Sequence, residues 1–420
     1  MRGDYLWNDE RYHLKIPNLK ALVARGSFAE AAESVTPTLT YAAHATIVTG
    51  VFPARHGILS NTRFQPERWR AGQDGYDDQD WYWEASHFKV KPLWQIAREQ
   101  GLTTAAFAWP STVGAGIDWL YSPLAPAFRP DVSDRRALEL QVSTPELLQR
   151  FEQNVGRLRS GDGRLRDHFL AMMAADTIRQ RKPNLLLIHL SLADDQQHRF
   201  GPASPEGLAA VEDVDQNIGL LVDAVRAAGI ADATTFVVTG DHGFLPLHTQ
   251  LGANIPLVKA GLIRLDEGGN ITRWDAVVNA SRPFAAVYLK DAGLKDRVWS
   301  ILDEEAQRNG RVFRLLSREE LDRLGADPEA AFGLEAQPGY TFDDRLTGPF
   351  AEPHGRKGGH GWIPTRPGIE TTFIAAGRGI RPGQRLPRVR LVDVAPTVAR
   401  LLGLDIGAVD GATLAGILEP

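Results

Sequence analysis

The chain has 420 residues, 43% hydrophobic and 24% charged, with a formal net charge of -5 and no cysteine. That composition suits a globular protein with a sizeable core. It excludes disulfides, thiolate zinc sites and a cysteine nucleophile. No basic run with interleaved aromatics suggests a nucleic-acid-binding surface, and no apolar run reaches the length of a membrane span.

In chain order, residues 17–26 predict a short amphipathic helix closed by Gly26. Residues 38–50 read TLTYAAHATIVTG, a loop-to-helix passage dense in threonine. Hydroxyls there can cap a helix, or one can act as a nucleophile facing the helix N-terminus. Residues 92–101 predict a helix, followed by the apolar run 102–111. Residues 112–163 hold few regular signals and read as long loops. The apolar spacing of 166–182 predicts a helix, and the continuous apolar run 184–192 a buried strand, expected to be parallel. Residues 204–229 carry a complete helix signature, with Ser204 as cap, Pro205 at the first turn and Gly229 at the end. Further strands are predicted over 234–240 and 371–377, and a late helix over 391–404. Alternating strands and helices predict an α/β fold with a mostly parallel central sheet. The texture of 245–345 differs, with a strand over 284–291 and helices over 296–310 and 317–325. It reads as a small α+β insertion or cap on a core formed by 1–244 and 346–420.

Chemistry-bearing residues flank these strands. Asp194, Asp195 and His198 follow the strand at 184–192. Asp241 and His242 follow that at 234–240. His360 sits between glycines on the loop before 371–377. Ligands gather at strand C-terminal ends in open α/β sheets. An Asp/His donor set suits Zn²⁺, with Mn²⁺ or another divalent ion as alternatives. Taken singly, His44, His56, His189, His248 and His354 read as hydrogen-bonded structural residues, and Asp195 as an acceptor behind the ligands. Three such groups on separate loops, beside the threonine loop, are harder to explain by capping.

The motifs TPTLTYAAHATIVTG (36–50), RHGILSN (55–61), DDQQHRFGP (194–202), TGDHGF (239–244) and HGW (360–362) resemble the alkaline phosphatase superfamily. Within it they resemble the type I phosphodiesterase/nucleotide pyrophosphatase family, and the likeness covers nearly the whole chain. It implies an α/β/α sandwich and a metal-dependent hydrolase of phosphodiester or pyrophosphate bonds, acting on a small-molecule phosphodiester or nucleotide. It implies two divalent metal ions, zinc foremost. Thr40 would be the nucleophile, forming a phosphothreonine and bridging toward the metals. Asn61 would bind phosphoryl oxygens. Asp194, His198 and His360 would hold one metal, and Asp241 and His242 the other. Tyr41 and Trp109 are candidates for the leaving-group pocket.

Two departures from the family pattern stand out. Tyr41-Ala42-Ala43 replaces the usual Phe-Pro-Asn after the nucleophile. The family's Asp-Gly, whose Asp ligates the second metal, has no counterpart before Arg2-Gly3-Asp4-Tyr5-Leu6. The expectation is that this ligand, its strand and any signal region lie upstream of Met1, or that Asp4 substitutes. Similar enzymes are often exported, which is the direction in which the resemblance leans for localisation. The alternatives are a phosphomonoesterase or phosphonate hydrolase of the same superfamily, or a non-catalytic remnant that binds phosphorylated ligands. A sulfatase fits less well, because no Cys is present and no Pro or Arg follows Tyr41 before Gly50.

Overall fold

The computed structural model describes residues 1–7, 9–65, 81–122, 135–156 and 163–420. The strands that frame the site are β1 Gly26–Glu33, β2 Thr104–Phe107, β3 Trp119–Tyr121, β4 Leu185–Ile188, β5 Thr235–Thr239, β6 Leu245–Gly252 and β7 Thr371–Gly377. The helices around them are α1 Pro17–Ala24, α2 Thr40–Thr49, α3 Leu93–Glu99, α4 Gly163–Arg181, α5 Leu192–Phe200, α6 Pro205–Ala227 and α7 Val394–Leu402. Ser204 caps α6 by accepting the Gly207 N–H, as its sequence signature predicts.

Helices α2, α3 and α7 enclose a core with one face of the strands, to which Leu187 of β4 and Val237 of β5 contribute. Helices α4 and α6 enclose another with the opposite face, to which Leu186, Ile188 and Phe236 contribute. Strand residues therefore point alternately into two helical layers. This is the α/β/α sandwich that the motifs imply.

The sheet is mostly parallel, as expected, with one strand reversed. Strands β3, β2 and β4 pair in parallel. Strand β7, however, runs antiparallel to both β1 and β5. A long excursion separates β5 from β7 and replaces the helical crossover that a parallel pair requires. Strand β4 pairs only with β2, and β5 only with β7, among the described residues.

Strand β1 was not expected at all. GSFAEAAE is rich in helix formers, yet tertiary packing makes it a strand. It is hydrogen-bonded to β7 and to the short strands Arg385–Leu386 and Val389–Arg390. Gly26 permits the close approach, because a Cβ there would lie 2.2 Å from the Ala375 carbonyl oxygen. Residues 112–163 are also more regular than expected. They hold β3 and the helices Arg135–Val142 and Pro145–Val155; 123–134 and 157–162 lie outside the described residues.

Between β5 and β7 the chain builds a four-stranded antiparallel sheet in the order Phe313–Leu316, Phe332–Ala336, Phe284–Leu289, Ala276–Ser281. Helix Lys295–Arg308 contributes Val298 and Leu302 to its core, and the capping box of Ser317 and Glu320 starts a short helix at Arg318. Ile363, just past His360, packs into the same core. Trp362 donates its indole N–H to the Ala336 carbonyl at 2.8 Å. Glu335, fully buried, takes Arg314 at 2.8 Å and Arg366 at 2.8 Å. The loop bearing His360 is thus bolted to this sheet.

Removing a buried carboxylate between two arginines leaves charge uncompensated. Glu335→Gln should therefore lower stability by about 3 kcal/mol, visible as a depressed midpoint in thermal unfolding. An unchanged midpoint would show that the ion pairs contribute nothing net.

Candidate metal centre

Local folding brings the ligating types to one place. Strand β4 ends at Ile188 and the chain enters α5, whose i and i+4 positions present Asp194 and His198 on one face. Strand β5 ends at Thr239, just before Asp241 and His242. The two-residue strand Gly358–Gly359 pairs antiparallel with β6 at Pro246 and Leu245, which carries His360 back to the end of β5. One ligand atom each from Asp194, His198 and His360 lies within 4.8 Å of the others. His242 joins them: its ring stacks on His360 with centroids 3.5 Å apart and an interplanar angle of 5°.

The tautomers of these histidines follow from their partners. His198 Nδ1 lies 2.9 Å from the Gly358 carbonyl, His360 Nδ1 2.9 Å from that of Thr38, and His242 Nδ1 3.2 Å from that of Gly243. A carbonyl only accepts, so each Nδ1 carries the proton and each Nε2 presents a lone pair. Yet His198 Nε2 and His360 Nε2 are 3.1 Å apart. Asp194 Oδ1 is 3.5 Å from His360 Nε2 and 3.9 Å from His242 Nε2. Both Asp194 Oδ1 and His242 Nε2 are buried without a hydrogen-bond partner. Electron-rich atoms converging this closely need a proton or a cation between them. Burial pushes His198 down and His360 well below the usual imidazole range, which disfavours the proton. The residues present therefore fit a divalent cation with a nitrogen and oxygen donor set.

Asp241 lies beside this group, its Oδ2 3.1 Å from His242 Nε2. Burial works to raise its pKa, but the adjacent His242 and His44 rings hold it well below the carboxylate range. Two histidines read from the sequence as structural, His44 and His189, stand next to it, with one ligand atom each within 4.8 Å of Asp241 and of one another. Sequence reasoning missed them. For His44 a signal existed, since it lies four residues after Thr40 on the same helical face. His56 keeps its structural role, contacting the Thr46 hydroxyl and accepting the Ile58 N–H. His248 pairs with Thr249, and His354 with Gln250.

Thr40 opens α2, partly exposed, where the first-turn N–H groups and the helix dipole favour an anion. It is bracketed by the ligand groups. His360 and Gly361 both hold Thr38, by the Thr38 carbonyl and by its hydroxyl at 2.8 Å, while His44 Nδ1 donates to the Thr40 carbonyl at 2.8 Å. Asn61 Oδ1 accepts the Tyr41 N–H at 3.0 Å, and its own carbonyl accepts the Tyr82 N–H at 3.2 Å. The amide is thereby oriented with its NH₂ left to donate. Tyr41 is buried and edge-on to Trp81 and Trp83, at 5.1 and 5.7 Å. Those tryptophans were not singled out from the sequence, although W-Y-W at 81–83 is an unusual aromatic density. Trp109 is buried with its ring edge-on to His44 at 4.6 Å. Asp4 is occupied elsewhere, by Arg2 at 2.8 Å and Tyr12 at 2.7 Å.

Behind the ligands, Arg166 reaches Ser191 and, at 3.0 Å, Asp195. Its neighbour Asp167 is fully buried and accepts the Leu192 N–H at 2.8 Å, fixing the start of α5. Burial pushes the Asp167 carboxyl up to about 6, against the opposing hydrogen bond from Leu192. A raised carboxyl pKa stabilises the fold below the unfolded value, and this contribution is lost as pH rises through about 6. Asp167→Asn should abolish that component, up to about 3 kcal/mol between pH 4 and 7. Calorimetric unfolding of chelator-treated protein across that range checks it; an unaltered pH slope would contradict it.

The sequence matches the family model described as Type I phosphodiesterase / nucleotide pyrophosphatase over residues 1–363. Ectonucleotide pyrophosphatase/phosphodiesterase family member 1 of Homo sapiens is 23% identical over 232 residues, covering 54% of this chain and 21% of that protein. Family member 5 of Homo sapiens is 25% identical over 247 residues, covering 58% of this chain and 42% of that protein. The chain thus spans less than half the length of these relatives. The solved structure of an inactive variant of murine ectonucleotide pyrophosphatase/phosphodiesterase 5, in complex with AMP, superposes with a TM-score of 0.70. It is 19% identical and covers 100% of this chain and 97% of that one, a likeness of fold. With the family model matched over most of its length, and with this fold, the chain belongs to the type I phosphodiesterase/nucleotide pyrophosphatase family.

Proposed function

We propose that this protein hydrolyses phosphodiester or pyrophosphate bonds of small nucleotide-like substrates through Thr40, with two divalent cations, zinc foremost. The observation that carries this reading is the bracketing of Thr40. Thr38 is tied to His360 in one ligand group, and the Thr40 carbonyl to His44 beside Asp241 in the other. Asp194, His198 and His360 would hold one cation, and Asp241 with His242 the other. The AMP found with murine member 5 is consistent with a nucleotide substrate. Residues 1–244 and 346–420 would form the catalytic core, with 245–345 an insertion that braces the His360 loop.

Bound cations supply positive charge against the developing phosphoryl charge and lower the pKa of a neighbouring hydroxyl. The chain's residues do the rest. Thr40 Oγ attacks phosphorus and loses its proton, and the bond to the leaving oxygen breaks as that oxygen takes up a proton. Asn61, oriented by the Tyr41 N–H, donates its amide N–H to a non-bridging oxygen. The N-terminus of α2 stabilises the same charge. Water then attacks the phosphothreonine and returns Thr40 to its hydroxyl form. Tyr41, with Trp81 and Trp83 around it, forms the aromatic wall nearest the helix start, where a base or aryl leaving group would rest.

Hydrolysis of bis(p-nitrophenyl) phosphate should exceed that of p-nitrophenyl phosphate and disappear on chelation. A preference for the monoester would replace the diesterase reading with a phosphomonoesterase. Thr40→Ala should remove at least about 10³-fold of kcat, whereas Asn61→Ala should cost about 10²-fold, the magnitude for one oxyanion donor. Equal activity of Thr40→Ala and the parent would exclude a threonine nucleophile.

A further inference from the structure

The Asp241 side of the centre contains two imidazoles to which the reading above gives no ligand role. Resting on that reading, we propose that His44 and His189 are ligands of the second cation, binding it jointly with Asp241.

The three side chains come from the first helix turns of α2, the end of β4 and the end of β5, and one ligand atom of each lies within 4.8 Å of the other two. His44 repeats the pattern of the histidines around Asp194. Its Nδ1 donates to a backbone carbonyl, that of Thr40, at 2.8 Å, so Nε2 carries a lone pair with no hydrogen-bond partner among the described residues. A backbone carbonyl that fixes the tautomer in this way is the usual support of a metal-bound imidazole. His189 meets the His44 ring edge-on, centroids 4.4 Å apart, and its side chain makes no hydrogen bond among the described residues. A nitrogen from each ring and a carboxylate oxygen thus lie close enough to share one ion, with His44 Nδ1 itself 3.7 Å from Asp241 Oδ2.

His56 supplies the contrast. It is fully buried near α2, and both of its nitrogens are engaged, by Thr46 and Ile58. His44 has one ring nitrogen engaged, and half-buried His189 has neither engaged by a described side chain or backbone group. Trp109 packs against the His44 ring, edge-on at 4.6 Å. A set of two nitrogens and one oxygen suits Zn²⁺ or Co²⁺ over Mg²⁺ or Ca²⁺. His44 would then join the cation to the Thr40 backbone through a single imidazole, so that ligation and nucleophile position are set by one side chain.

The test is direct cation binding to the full chain, stripped by chelation and titrated with Zn²⁺ by calorimetry, with Co²⁺ absorption as a second probe. The parent should take two equivalents. His44→Gln and His189→Gln should each weaken one equivalent by at least about ten-fold and leave the other unchanged, whereas His198→Gln should lose that other one. His189→Asp, which restores an acceptor, should recover binding that His189→Gln loses; this separates lost ligation from a misfolded variant. Two equivalents at parental affinity in both glutamine variants would overturn the inference. So would a single equivalent lost in His198→Gln and kept in His189→Gln, which would leave the Asp194 site and the hydrolase reading standing. No bound cation in the parent would overturn both.

Discussion

His198 and His360 face each other through Nε2 atoms 3.1 Å apart, while their Nδ1 protons are committed to backbone carbonyls. This is repulsive unless something positive lies between them. The rest of the fold holds that conflict in place. Strand Gly358–Gly359 pins one side of His360, and Trp362 and Arg366 anchor the other side to the four-stranded sheet. Asp167 fixes the start of α5, which carries Asp194 and His198. A scaffold rigid enough to hold buried acceptors against one another is one that binds a cation without reorganising.

The same principle would organise the proposed nucleophile. As the proposed nucleophile, Thr40 would need no histidine base of its own, because the charge around it would be set by the ligand groups on either side and by the start of α2. Its backbone is held from both directions, by the Asn61 amide at Tyr41 and by His44 at its own carbonyl. Positioning and electrostatics, rather than a relay of protons, would carry the chemistry.

Much of this was legible in the sequence. Helix α6 announced both of its ends, and the apolar runs at β4, β5 and β7 marked strands, of which β7 is buried as expected while β4 and β5 are largely half-exposed. The Asp/His groups stood out because each follows such a strand or precedes one. Strand β1 was hidden because GSFAEAAE has the composition of a helix, and only its neighbours β7 and Arg385–Leu386 make it extended. The antiparallel direction of β7 was hidden because it depends on the path through the intervening sheet. His44 and His189 were hidden for a related reason: each is alone on its element, and their meeting at Asp241 is a tertiary event.

The central claim is that two groups of buried acceptors on either side of Thr40 hold two divalent cations. Anomalous diffraction at the zinc edge, from crystals of the full chain equilibrated with Zn²⁺, tests it most directly. Two peaks are predicted, one among Asp194, His198 and His360 and one beside Asp241. Peaks at neither place, or a single peak away from both groups, would contradict the account.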